Sequence, residues 1–225
     1  DREHRTERPI PSGAISARAV WILGIVQMAL GLGCVVWINT LAALFALGLA
    51  GGILWYDWLH KRITWSPFII GLCRFFLYLL AGATAVGSIT VPLTLGAVAL
   101  WAYIVGLSNI ARREATGGRV NSWPAWLLAL PLLLAIASAC LQGGAEVAWN
   151  RLIFSVCLYA LWVARSLLFT FKSIMPQYSR TVSGLLAGIV LLDFLLAANQ
   201  DMQTGMVFFL LFGLALLLQR YIPAT

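Results

Sequence analysis

Long apolar runs dominate the chain, and short polar breaks divide them at near-regular intervals. The runs fall at 19–38, 40–58, 68–86, 91–111, 123–141, 150–171, 181–199 and 204–222. Each is close to the ~20 residues that an α-helix needs to cross a hydrocarbon core. The first two are parted only by "INT" at 38–40, and the last two by the polar turn "NQDMQ" at 199–203. The pattern predicts an all-α, polytopic transmembrane helical bundle of about eight spans, in a single domain over 1–225.

Composition excludes the soluble alternatives. Charged residues make up only 10% of the chain, against ten Trp and eleven Phe, and the mean hydropathy is +0.90. A soluble core cannot absorb that much apolar surface. A net charge of +7 would suggest nucleic acid in a soluble protein, but the positions of the charges give it another meaning. Alternate loops hold Arg2, Arg5, Arg8 and Arg18, then Lys61 and Arg62, then Arg112, Arg113 and Arg119, then Lys172 and Arg180, then Arg220. That set contains twelve of the fifteen basic residues. The opposite loops hold only Arg151. Positively charged loops mark the cytoplasmic side, so both ends of this chain are expected there.

Polar residues inside the spans are costly in lipid and need a reason. Arg74, in "SPFIIGLCRFFLYLLAG", reads either as a cation snorkelling to the headgroups or as one aimed into a cavity. Arg165 lies about 9 Å from its helix end by helical rise, within snorkelling reach. Asp193 lies about 9 Å from the opposite surface on the same arithmetic, with Arg151 a candidate partner. Gly48 and Gly52 have the GxxxG spacing that lets helices approach closely. Cys34, Cys73, Cys140 and Cys157 lie in apolar segments without CxxC spacing and read as small buried hydrophobes.

Three basic loops carry more than charge. The opening "DREHRTERPIPSGAIS" joins acids and arginines to a proline-stiffened turn, after which Ser16 can cap the first helix. "WYDWLHKRITWSP" places an aromatic, an acid and a Lys-Arg pair at a helix junction. "LSNIARREATGGRVN" sets Asn109 and Glu114 beside a double arginine. Acids bind hard divalent cations and basic groups bind phosphate oxygens, so this mixture suits a magnesium–diphosphate site.

These segments resemble the UbiA superfamily of intramembrane prenyltransferases. Asp1 matches the last aspartate of that family's first motif, NDxxDxxxD, and Arg8-Pro9-Ile10-Pro11-Ser12-Gly13 matches the tail that follows it. Tyr56, with Lys61 and Arg62, resembles the family's Tyr then Lys-Arg junction. The wording of "YDWLHKRITWSPFIIGLCRFFLYLLAG" is most similar to the EboC-like branch. The resemblance implies a family bundle lacking its first two helices, in a membrane that is expected to be the bacterial cytoplasmic one. It implies prenyl transfer from a prenyl diphosphate to a lipophilic or aromatic acceptor, with Mg²⁺ as cofactor. The roles it implies are Asp1, Asn109 and Glu114 as metal ligands, and Lys61 with Tyr56 as catalytic residues. Arg8, Lys61, Arg62, Arg74, Arg112 and Arg113 would bind diphosphate. The family's second motif, DxxxD, has no counterpart here. Asn109 and Glu114 stand near arginines where carboxylates are expected. The alternative is a non-catalytic relative that binds or helps move an isoprenoid-like metabolite.

Overall fold

The computed structural model describes residues 9–60, 62–116, 121–141, 147–172, 176–197 and 202–221. They form eight helices: α1 (Ala17–Ile38), α2 (Thr40–Leu59), α3 (Ser66–Val86), α4 (Val91–Thr116), α5 (Trp123–Leu141), α6 (Trp149–Phe171), α7 (Tyr178–Leu196) and α8 (Met202–Tyr221). Seven are long and apolar enough to cross a membrane. In α8 the corresponding apolar stretch is Gln203–Gln219, a shorter run. The chain is a multi-pass membrane protein built as a helical bundle.

The first boundaries are set by local hydrogen bonding. Gly13 takes φ +78°, a conformation that a residue without a Cβ adopts at little cost. This lets its N–H reach the Ile10 carbonyl at 3.2 Å and the Ile15 N–H reach the Pro9 carbonyl at 3.1 Å. Ser16 then caps α1, its hydroxyl accepting from the Ala19 N–H at 3.2 Å. The break between α1 and α2 is a single extended residue, Asn39 (φ −166°, ψ 149°). Its Oδ1 accepts from the Ala42 N–H and its Nδ2 donates to the Ala83 carbonyl of α3, both at 2.8 Å. One side chain thus caps α2 and pins it to α3. Asn39→Ala is expected to lower stability by about 1–3 kcal/mol, the sum of a lost cap and a lost interhelical bond. Denaturant unfolding in mild detergent, followed by circular dichroism, checks it.

The centre of the bundle is α4 against α7. Along α4, Ala97, Ala99, Ala102, Tyr103 and Val105 are fully buried. Lipid is as apolar as leucine, so close packing and satisfied backbone groups must hold such a core together. Aromatic donors reach helix carbonyls across it: Tyr103 to Leu185 at 2.6 Å, Tyr159 to Leu128 at 2.7 Å, and Trp162 to Gly184 at 2.7 Å. A buried relay adds Thr170 to Thr181 at 2.8 Å and Thr181 to the Ser166 carbonyl at 2.9 Å, joining α6 to α7. The pair Gly48 and Gly52 packs α2 onto α3, against Phe76 and Cys73. α1 packs on α2 and α8 on α7, at the two margins of the bundle.

The cysteines depart from expectation. All four are free thiols, but only Cys73 is buried; Cys34, Cys140 and Cys157 are on the outside of the bundle. A small apolar side chain is as comfortable against lipid as inside protein, so an apolar segment does not by itself imply burial. Arg165 is exposed, as snorkelling requires. Its guanidinium lies 5.2 Å from the Trp162 ring and 5.6 Å from Phe169, whose ring Arg180 also approaches at 5.5 Å.

Candidate functional site

At the end of the bundle that carries the basic loops, α2, α3 and α4 diverge around a cavity of about 340 Å³. Tyr56 and His60 supply one wall. They are one helical turn apart, so their rings share a face of α2 and stack, with centroids 5.1 Å apart and planes at 20°. The His60 Nδ1 lies 3.0 Å from the Asp57 carbonyl and 3.2 Å from the Tyr56 carbonyl. Both neighbours are acceptors, which places a proton on Nδ1.

The second wall is the start of α3. Ser66 and Pro67 line the cavity and open the helix, with proline in its first turn, where a missing N–H costs nothing. A helix N-terminus carries partial positive charge and favours anions. The third wall is α4, through Ser108, Ala111 and Arg112. The Arg112 guanidinium donates to the Thr64 carbonyl in the α2–α3 connection. That bond fastens the far end of α4 to the loop in which Lys61 and Arg62 occur. No acidic residue lines this cavity among the described residues. Arg112 and the start of α3 therefore meet at this cavity, and a guanidinium and a helix N-terminus both favour an anion such as phosphate.

The expected site residues divide into three groups. Tyr56 and Arg112 come together in the cavity. Arg62 is exposed and lies 5.8 Å from the Trp58 ring. Arg113 is exposed on α4, and Arg74 is exposed one turn beyond Ile70; neither lines the cavity. Asp1, Arg8 and Lys61 lie outside the described residues. His60 was absent from the sequence-based set, although the i, i+4 spacing of "YDWLH" could have disclosed its partnership with Tyr56.

The expected metal ligands Asn109 and Glu114 both lie on α4, which runs unbroken to Thr116. Positions five apart on a helix project roughly 140° apart, so these two side chains diverge. Asn109 donates its amide to the Val105 carbonyl at 2.8 Å, leaving its oxygen as the coordinating atom. Among the described residues no three His, Cys, Asp or Glu side chains gather as a metal site would require. Those residues alone do not assemble a Mg²⁺ cage.

At the opposite end, Asp193 accepts a hydrogen bond from the Tyr78 hydroxyl at 3.4 Å. This partner comes from α3, 115 positions away in the chain, and differs from the Arg151 expected from the sequence.

The model of the UbiA prenyltransferase family matches residues 1–214. A protoheme IX farnesyltransferase of Chloroflexus aurantiacus is 34% identical over 170 residues, a match that takes in 69% of this chain. The chain spans only about a quarter (25%) of that relative's length. No solved structure matches.

Proposed function

The chain belongs to the UbiA prenyltransferase family, and from that membership we propose that it is a membrane prenyltransferase. It moves an isoprenoid group from a prenyl diphosphate to a lipophilic or aromatic acceptor. The observation that carries this reading is the cavity between α2, α3 and α4, where Arg112 and the start of α3 meet. The diphosphate oxygens face Arg112 and the α3 N-terminus. As the allylic carbon–oxygen bond breaks, negative charge gathers on the departing diphosphate, and preorganised cations stabilise it. The stacked Tyr56 and His60 rings offer a π face to the carbon that becomes cationic. The acceptor then bonds to that carbon and releases its proton. The cavity opens toward the cytoplasm, the side indicated by the basic loops.

Mg²⁺ offsets charge on a leaving diphosphate when it is bound. Because Asn109 and Glu114 diverge, Asp1 would hold the ion with one of them and not both. The test is diphosphate release from geranylgeranyl and shorter prenyl diphosphates by the protein in lipid bilayers, titrated with Mg²⁺. Release should saturate with the metal. Asp1→Ala is expected to abolish it. Of Asn109→Ala and Glu114→Ala, one should raise the Mg²⁺ requirement about tenfold, the scale typical of a lost metal-site contact, and the other should leave it unchanged. Equal loss in both would refute the divergent-ligand account.

A second reading is favoured by the same divergence of ligands on α4: a family member that binds an isoprenoid diphosphate without turning it over. Saturable binding of every donor tried, with no diphosphate released at any Mg²⁺ concentration, would establish it in place of the first.

A further inference from the structure

A second cavity, with no part in the proposed reaction, lies at the other end of the bundle. It measures about 460 Å³ and is formed where α4 begins and where α5 and α7 end. Its volume falls within the ~300–1,000 Å³ range of small-molecule sites. The wall is mostly apolar, with Leu93, Leu152, Leu196 and Phe208, and three polar side chains interrupt it: Tyr78, Ser138 and Asp193. An acid placed among such neighbours inside a membrane protein is costly and calls for a compensating group.

The structure supplies little compensation. The Tyr78 hydroxyl reaches Asp193 Oδ1 at 3.4 Å, whereas an ordinary O–H···O bond is ~2.7–2.8 Å. That contact is long, and it engages one carboxylate oxygen of two. No Arg, Lys or His lines the cavity among the described residues; Arg151, the basic residue at this end, is exposed and away from the wall. The site therefore has a carboxylate, two hydroxyl-bearing neighbours and an apolar surround. It lacks a cation of its own.

We propose that this cavity binds a membrane-dissolved cationic amphiphile, an alkylammonium whose head group pairs with the Asp193 carboxylate while its chain lies against Leu93, Leu152 and Phe208. An ammonium brings both the missing charge and several N–H donors, so it neutralises the acid and engages its second oxygen. An alcohol would supply a donor without the charge, and a fatty acid would add a like charge. The order of affinity is therefore ammonium, then alcohol, with the carboxylate excluded. The site is separate from the Arg112 cavity and independent of whether prenyl transfer occurs there.

The experiment measures binding of dodecylammonium, dodecanol and dodecanoate to the whole protein in nanodiscs, using empty nanodiscs to subtract partitioning into lipid. Saturable binding of dodecylammonium is expected, at least tenfold tighter than dodecanol, with none for dodecanoate. Asp193→Asn retains the shape and an acceptor for Tyr78 and should erase the tenfold preference. Ala139→Leu, which fills the cavity from α5, should weaken ammonium and alcohol alike. Should Asp193→Asn fail to fold, the cavity-filling variant carries the comparison. Equal binding of ammonium and alcohol, or an ammonium preference that survives Asp193→Asn in folded protein, overturns the proposal. So does the absence of any binding above empty nanodiscs.

Discussion

Arg112→Ala is expected to reduce diphosphate release about a hundredfold or more, the scale seen when one preorganised donor to developing negative charge is removed. The reason is positional. Arg112 is the arginine that lines the cavity among the described residues, and its tie to the Thr64 carbonyl holds the guanidinium at the junction of three helices. Arg62 and Arg113 are exposed and away from the wall, so they cannot substitute without rebuilding the loop. Arg112→Lys should fall between wild type and alanine, because an ammonium keeps the charge but loses the planar fork. Steady-state kcat and KM for the prenyl donor, measured in bilayers, check the order. Arg113→Ala provides the contrast and should change kcat less than threefold. If Arg112→Ala in a folded protein turns over at the wild-type rate, the diphosphate is bound elsewhere.

The second large effect concerns packing at the centre. A Cβ added at Gly188 would stand 2.5 Å from the Tyr103 hydroxyl oxygen and 3.2 Å from the Trp162 ring. Tyr103 is fully buried and donates to the Leu185 carbonyl at 2.6 Å. It cannot retreat without breaking that bond in a region with no water to replace it. Gly188→Val should therefore cost about 3 kcal/mol or more, combining overpacking with an unmet hydroxyl and carbonyl. Gly51 is the control: nothing lies within 4 Å of a Cβ placed there. Gly51→Ala should be neutral or stabilising by up to ~1 kcal/mol, since glycine is a poor helix former. Unfolding of both variants in mixed micelles, followed by far-ultraviolet circular dichroism, decides the matter. Equal effects at the two positions would show that the α4–α7 contact is looser than described.

Hydropathy made most of the bundle legible because a bilayer imposes a length on every span. The expected break at "INT" is Asn39 itself, and α5 occupies the same residues, 123–141, as its apolar run. Where helix ends departed, the cause was polar sequence that remains helical. α4 was expected to stop near 111 and continues to Thr116, since "ARREAT" has strong helix formers. This extension matters to the site. Read as loop, Glu114 could turn back toward Asn109; held in helix, it faces another way. The positive-inside rule has the same limit. It groups basic residues by end of the bundle but carries no information on which helix face they occupy, so it could not separate Arg112 from Arg62, Arg74 and Arg113. The aromatic wall depended on a shorter-range signal, the one-turn interval between Tyr56 and His60. Asp193 was legible as an anomaly, while its Tyr78 partner, on a distant helix, was not.

The single-residue joint at Asn39 has a mechanical consequence. None of the residues of α1 is buried, and the helix packs on α2 with no part in the core. If a force probe tethered to α1 pulled it out of a supported membrane, the α1–α2 contact should give way at low force, as one short extension step. The tether would then tighten on Asn39, whose two bonds to Ala42 and Ala83 act together. The next rupture should need markedly more force and should release α2 from α3, so the force trace would carry a weak first peak before a strong second one.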